Sequence, residues 1–129
     1  MAIPFEARIP GTPLGVRMLR RKMARMAKDC GMDPEGIADV RLAVTEAATN
    51  AVIHAYAEAE GDLRVTAAMQ DGELAIVIGD TGTGLAEGRD SPGLGAGLSV
   101  IATVAERLKI VSHPAGTEIH MAFPCPNAE

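Results

Sequence analysis

The apolar residues near the start of the chain change from an alternating to a helical spacing. The segment IPFEARIP alternates and predicts a first strand that ends at Pro10-Gly11. From Leu14 onward, apolar residues follow the 3.6-residue period of an amphipathic helix. Gly31 then stands where a helix C-cap is expected. The residues on the apolar stripe are Val16, Leu19, Met23, Met26 and Cys30.

A second helix is predicted to begin at Asp33-Pro34, with Asp33 as N-cap and Pro34 at the first helical position. Its apolar stripe is rich in alanine, which allows close packing against a neighbouring helix or a sheet. The stripe consists of Ile37, Val40, Val44, Ala47, Ala48, Ala51 and Ala55.

After Gly61 the apolar period becomes two, which predicts strands. Asp71-Gly72 separates two alternating runs and predicts a two-residue hairpin turn. Residues 81–97 are glycine-rich and are expected to be irregular. A third helix is expected at about 98–106, followed by strands at about 108–111 and 117–123. The order β-α-α-β-β-α-β-β predicts an α+β two-layer sandwich, with helices on one face of a largely antiparallel mixed sheet.

Composition narrows the class of protein. A chain of 129 residues, 47% hydrophobic and 22% charged, fits one soluble globular domain spanning residues 1–129. The net charge of −5 argues against direct binding to nucleic acid, which normally requires a basic surface. Basic residues nevertheless crowd the first helix, where they form either a solvated face or a surface for an acidic partner. They are Arg17, Arg20, Arg21, Lys22, Arg25 and Lys28.

The two cysteines and the N-terminal segment predict the cellular compartment of the protein. Cys30 and Cys125 match no metal or redox spacing, and we expect two reduced thiols rather than a disulfide. The N-terminus lacks the features of a signal peptide, and no run approaches the ~20 apolar residues of a membrane span. We therefore expect a cytoplasmic protein without a membrane partner.

The second helix carries an unusual polar column for so apolar a segment. Glu46, Asn50 and His54 recur at i, i+4 spacing and so share one helix face. An Asn oxygen suits Mg²⁺ that keeps waters and phosphates as its other ligands, and a nearby Glu can act as a general base. The alternative is an ordinary solvated pair of Glu46 and Asn50. We interpret His54 as a packing residue at the helix end.

Two glycine-rich segments follow the predicted hairpin. In GDTGTGL, Asp80 ends a strand and precedes Gly82 and Gly84, so its carboxylate could accept a hydrogen bond from an exocyclic amine. A simple surface turn is the alternative. In SPGLGAGLSVI, glycines lead into a helix, whose N-terminus favours phosphate, and a flexible connection is the alternative. Neither the P-loop nor the dinucleotide-binding pattern is present.

Taken in order, EAATNAVIHAY, DTGTGL, GLGAGLSVI and GTEIHMAF resemble the ATP-binding fold shared by histidine kinases, gyrase-type topoisomerases and MutL. The Glu-Ala-x-x-Asn-Ala segment is most similar to bacterial anti-sigma factors of the serine-kinase type. The resemblance covers residues 3–123. It implies an ATP site between a helix and a glycine-rich lid at residues 86–93.

The resemblance also implies roles for individual residues. Glu46 would be the general base and Asn50 the Mg²⁺ ligand. The remaining nucleotide-binding positions divide between the adenine and the phosphates. The adenine side comprises Asp80, Gly82, Gly84 and Thr117, and the phosphate side comprises Gly95, Gly97 and Leu98.

The function implied by the resemblance is that of a Mg²⁺- and ATP-dependent serine kinase. Such a protein sequesters a sigma factor and phosphorylates a serine of an anti-anti-sigma partner, and it is expected to be a homodimer. A different class of function keeps the same pocket: a binding module that ATP switches without phosphoryl transfer. The sequence alone does not separate the two.

Overall fold

The structure is a computed structural model that describes residues 4–55, 61–80, 92–114 and 116–127. Its element order confirms the predicted alternation of strands and helices. The elements are β1 (Phe5–Pro10), α1 (Pro13–Asp29), α2 (Pro34–Ala55), β2 (Asp62–Gln70), β3 (Glu73–Gly79), α3 (Pro92–Val104), β4 (Arg107–His113) and β5 (Gly116–Pro124).

The five strands form one sheet in the order β1-β2-β3-β5-β4, and each of these neighbouring pairs is antiparallel. The chain leaves the sheet after β3, and α3 carries it to the far edge, where β4 forms. β5 then returns between β3 and β4. This insertion pairs Gly79, at the end of β3, with Glu118, near the start of β5. The prediction of a largely antiparallel sheet is confirmed.

The β2–β3 hairpin turns where the sequence predicts it. Asp71 and Gly72 have φ values of 53° and 77°, the positive values that a two-residue turn of this type needs at both central positions. The turn sets the register, in which Gln70 lies opposite Glu73. Alternation along both strands then sends one set of side chains into the core.

The three helices cover one face of the sheet. The inward side chains of β2 and β3 are almost fully buried, whereas Arg64 and Thr66 are exposed on the other face. α2 packs against both α1 and α3. The buried inward side chains are Leu63, Val65, Ala67, Leu74, Ile76 and Ile78. This two-layer arrangement is the predicted α+β sandwich.

α2 begins and packs as predicted. The Gly36 N–H donates to Oδ1 of Asp33 at 2.8 Å, which is the expected N-cap bond. Four alanines of its inner face, Ala43, Ala47, Ala48 and Ala51, are buried among the neighbouring elements. Within the described ranges, no helix has the length and apolar character needed to cross a membrane.

The predicted position of the third helix is wrong. α3 begins at Pro92, about six residues earlier than expected, and ends at Val104. Proline suits the first turn of a helix because its fixed φ is helical and its missing N–H is not needed there. At the other end, the Glu106 N–H donates to the Ala122 carbonyl at 2.9 Å, so the chain has already joined the sheet. The glycines that indicated an irregular segment therefore include several helical ones.

The expectation of two free thiols is also wrong, because Cys30 and Cys125 form a disulfide. The segment after β5 runs back to the end of α1, where the Asn127 N–H donates to the Cys30 carbonyl at 2.9 Å. The Cys125 N–H donates to the Gly72 carbonyl at 2.8 Å. These bonds bring the two Cα atoms to 5.0 Å, within the range that a disulfide spans. A separation of 95 residues hides this proximity from the sequence.

Candidate functional site

Glu46 and Asn50 lie one turn apart on α2, as their spacing predicts. Glu46 is half-buried, whereas Asn50 has only 7% of its surface exposed. Both stand beside the alanine-rich stripe that faces the core. The side chain of His54, the third member of the predicted column, lies outside the described residues. The described part of the column therefore combines a half-buried carboxylate with a buried carboxamide.

The amide of Asn50 rests directly on the backbone of α3 at Gly97. A Cβ on Gly97 would overlap Nδ2 of Asn50 and would lie 3.0 Å from its Oδ1 and 3.1 Å from its Cγ. A larger residue at this position would therefore displace the Asn50 side chain. Gly97 itself is buried. The sequence placed both residues in the site, and the structure brings them into contact.

Nδ2 of Asn50 is buried and has no hydrogen-bond partner among the described residues. A buried polar group left without a partner costs about 1–3 kcal/mol. An apolar side chain at position 50, like the alanines near it on α2, would avoid that cost. A ligand that accepts a hydrogen bond from Nδ2 would remove this cost, which makes Asn50 a candidate ligand-binding residue.

Asp80 and Thr117 meet where β3 ends and β5 begins. Asp80 is 5% exposed and Thr117 is 9% exposed. The Asp80 N–H donates to the Thr117 carbonyl at 3.0 Å. The Oγ1 of Thr117 is buried and has no hydrogen-bond partner in the described part of the chain. Two polar residues predicted from distant motifs therefore sit side by side on central strands.

Gly116 is a site residue that the sequence analysis missed. Its φ is 145°, and a Cβ there would overlap the backbone carbonyl oxygen of Asp80 and lie 3.2 Å from its Oδ1. A side chain at this position would push Asp80 out of place. The only signal in the sequence is that a glycine directly precedes Thr117.

The remaining predicted positions divide into described and undescribed ones. Gly95 lies within α3, and Leu98 is half-buried on the same helix. Gly82, Gly84 and most of the predicted lid at 86–93 fall in residues 81–91, outside the described residues. α2 also packs against β3 and β5, the strands that carry Asp80 and Thr117. The helix with Asn50 and the strand ends with Asp80 thus belong to one packed unit.

The donor set fits a magnesium-bound adenine nucleotide. A carboxamide oxygen is a ligand that Mg²⁺ accepts when phosphates and waters complete its shell. A carboxylate and a hydroxyl on adjoining strand ends offer an acceptor and a donor for the edge of a base. The unpartnered Nδ2 of Asn50 and Oγ1 of Thr117 are the observations that a bound ligand would account for.

Comparison with known protein families shows the family to which the chain belongs. The model of the histidine kinase-like ATPase domain matches residues 9–123, which is most of the chain. The chain belongs to the histidine kinase-like ATPase family. This confirms the family resemblance carried by the four motifs.

Similar proteins within the family include bacterial serine-protein kinases. RsbW of Bacillus thuringiensis (strain Al Hakam), named a serine-protein kinase, is 34% identical over 78 residues, covering 60% of this chain and 49% of RsbW. RsbW of Bacillus cereus (strain AH820) matches to the same extent. The chain thus spans about half the length of the curated relatives it matches.

Solved structures confirm the fold. The RsbU and RsbW domains of Rv1364c from Mycobacterium tuberculosis match 95% of this ATPase-family chain, and 32% of their own, with a TM-score of 0.75 and 24% identity. The histidine kinase domain of the blue-light activated kinase EL346 from Erythrobacter litoralis matches with a TM-score of 0.62 and 19% identity. That match covers 87% of this chain and 60% of the other.

Proposed function

We propose that this member of the histidine kinase-like ATPase family is a Mg²⁺- and ATP-dependent protein serine kinase that also acts as an anti-sigma factor. The observation that carries the proposal is the buried carboxamide of Asn50, held against Gly97 with its Nδ2 unpartnered. Its relatives among the RsbW proteins are named serine-protein kinases, which supports the choice of reaction.

Asn50 and Glu46 have separate roles in the proposed reaction. Asn50 holds Mg²⁺ through its carboxamide oxygen. Bound ATP supplies the γ-phosphoryl group. Glu46, one turn away and only half-buried, accepts the proton of the acceptor serine hydroxyl as a general base. A half-buried carboxylate suits this role because the acceptor must reach it from a second protein.

The adenine side of the proposed site is formed by Asp80 and Thr117. The Asp80 carboxylate accepts a hydrogen bond from the exocyclic amine of adenine, and the buried hydroxyl of Thr117 supports the same edge of the base. Gly116 keeps Asp80 in position because it leaves room for the Asp80 backbone. Gly95, Gly97 and Leu98, on α3, border the phosphates, while Gly82 and Gly84 belong to the undescribed segment.

The partners in the proposal are those that the family resemblance implies. They are a sigma factor, which the ATP-bound protein sequesters, and an anti-anti-sigma protein, which it phosphorylates on serine. The protein would act in the cytoplasm as a homodimer and would control transcription without contacting nucleic acid directly. The charge of −5 supports that last element.

Phosphate transfer to the cognate anti-anti-sigma protein tests the catalytic roles. ATP labelled at the γ-phosphate is supplied to wild type, Glu46→Ala, Asn50→Ala and the control Glu6→Ala, in which an exposed carboxylate on β1 is removed. We expect Glu46→Ala to bind ATP within about threefold of wild type and to transfer phosphate ~10²–10⁴-fold more slowly. Asn50→Ala should lose Mg²⁺-dependent ATP binding, and Glu6→Ala should match wild type.

Four outcomes would contradict all or part of the proposal. Undiminished transfer by Glu46→Ala would remove the general base, and Mg²⁺-dependent binding by Asn50→Ala would remove the metal ligand. If wild type binds ATP but transfers no phosphate, the protein is instead an ATP-gated binding switch. If wild type binds neither ATP nor ADP, both functions are excluded.

A further inference from the structure

A groove lies at the opposite end of α2 from Asn50. It has a volume of about 500 Å³ and is bounded by the loop between α1 and α2, the end of α3 and the end of β5. Eleven or more residues of α2 separate Asn50 from the groove's α2 residues, which are Glu35, Gly36 and Asp39. At 1.5 Å per residue this is a distance of about 16 Å or more. The groove is therefore distinct from the proposed nucleotide site.

The floor of the groove is apolar. Met32 and Val104 are half-buried beside the buried ring of Phe123. Gly31 and Pro126, next to the two cysteines of the disulfide, also line it. The disulfide joins the α1 side of the groove to the segment after β5. A covalent link thus joins two walls of the groove and restricts their relative movement, which favours a preformed binding surface.

The rim of the groove carries negative charge. Asp33, Glu35, Asp39 and Glu106 line it, and none of its described lining residues is Lys or Arg. Arg107 follows Glu106 in the sequence but donates instead to the Glu73 carboxylate, and this bond, with the charge of Glu73, raises the pKa of Arg107. The C-terminal end of α3, which borders the groove at Val104, has no basic residue in its last turn and favours a cation, whereas the first turn of α2 favours an anion and already carries Glu35.

The spacing of the rim charges indicates the shape of the occupant. Glu35 and Asp39 are four residues apart on α2, so they lie on one face at a separation of about 5–6 Å. Lys or Arg side chains four residues apart on another helix have the same spacing. An amphipathic helix with such a pair beside an apolar stripe would match both rim and floor, which is the helix-in-groove mode of recognition.

We propose that this groove binds a basic amphipathic helix of a partner protein. Apolar side chains of that helix fill the floor formed by Met32, Val104 and Phe123. Its Lys or Arg residues lie against Glu35, Asp39 and Glu106. The inference does not rest on the proposed kinase function, since no part of the nucleotide site takes part.

Titration with model helices tests the charge and the apolar requirement together. Three peptides of roughly 15 residues, long enough to form a helix, are added to the folded protein. One is made of Leu and Lys, one of Leu and Glu, and one of Lys and Ser. We expect only the Leu/Lys helix to bind, with amide chemical shifts of the protein changing around Met32, Val104 and Glu106. Its affinity should fall as salt is raised.

Paired variants distinguish the groove from the general negative charge of the protein. Glu35→Gln with Asp39→Asn should weaken binding about two- to thirtyfold, the effect of losing two exposed ion pairs. The control, Glu6→Gln with Asp62→Asn, removes the same charge away from the groove and should change affinity less than twofold. Ala105→Arg, which places a cation and added bulk in the groove, should abolish binding while circular dichroism shows an intact fold.

Several results would overturn the proposal. Equal weakening in the test and control pairs would mean non-specific attraction, and preference for the Leu/Glu or the Lys/Ser peptide would exclude a basic amphipathic occupant. Self-association of the protein alone that Ala105→Arg abolishes would make a second copy the occupant instead. Because no nucleotide is present, each of these results is independent of the kinase proposal.

Discussion

Replacing Gly97 with alanine tests whether the contact between α2 and α3 positions Asn50 for nucleotide binding. The added Cβ would overlap Nδ2 of Asn50 and approach its Oδ1 to 3.0 Å. Alanine favours a helix over glycine by about 1 kcal/mol, whereas overpacking a core costs about 1–3 kcal/mol. The free energy of unfolding should therefore fall by no more than about 2 kcal/mol, and the variant should fold.

The effect on nucleotide binding should be larger. The carboxamide must turn away from α3 to make room, and its interaction with the metal-bound nucleotide is then lost. An interaction with a charged group is worth about 1.5–3 kcal/mol, which corresponds to roughly a 10- to 150-fold loss of affinity. Isothermal titration of ATP in the presence of Mg²⁺ measures this loss, and urea unfolding measures the stability of the same sample.

A second glycine-to-alanine change provides the control. Gly36 also lies in a helix, α2, and a Cβ there would meet Met32 at 3.2 Å and Asp33 at 3.3 Å, far from the nucleotide site. Gly36→Ala should change stability by about 1 kcal/mol or less and leave ATP affinity unchanged. If a folded Gly97→Ala protein binds ATP within twofold of wild type, the proposed position of Asn50 is wrong.

Three further changes test other parts of the structure. Asp80→Asn should lower ATP and ADP affinity about tenfold in calorimetric titrations, because a charge-assisted hydrogen bond becomes a neutral one. Affinity equal to that of wild type would argue against a contact between Asp80 and adenine. Gly116→Ala should lower the free energy of urea unfolding by about 2–5 kcal/mol, because alanine would have a strained φ and its Cβ would overlap Asp80. Unchanged stability would contradict the close approach of Gly116 to the Asp80 backbone. Cys125→Ala should lower the free energy of urea unfolding by up to about 4.7 kcal/mol, because the unfolded chain loses the restraint of a 95-residue loop. Reductant should lower the stability of wild type to nearly that of the variant. Insensitivity of wild type to reductant would mean that Cys30 and Cys125 are not bridged.

The elements that were predicted correctly depend on local interactions. The cap of α2 follows from Asp33-Pro34, and the β2–β3 turn follows from Asp71-Gly72, because each needs only neighbouring residues to form. The pairing of Glu46 with Asn50 on one helix face likewise follows from spacing alone. For the same reason, the order of strands and helices could be predicted along most of the chain.

The elements that were missed depend on contacts between distant segments. The disulfide arises because the chain after β5 returns to the end of α1, which no local pattern reveals. Gly116 matters only because Asp80 lies against it. The start of α3 was placed too late because glycine is a poor helix former in isolation. At Gly97 the packing of α3 against α2, where the Asn50 side chain occupies the space of a Cβ, is a tertiary contact that this local preference does not include.

The insertion of β5 between β3 and β4 has a consequence for the chain as it leaves the ribosome. The neighbour that β3 needs on one side is the last strand of the described chain to be synthesised. The 37 residues from Asp80 to Thr117 take about 2–7 s to translate at 5–20 residues per second. During that interval β3 presents an open edge, and the proposed adenine side of the site, formed by Asp80 and Thr117, is incomplete. The proposed nucleotide therefore cannot bind and stabilise a nascent chain until nearly all of this domain has left the ribosome.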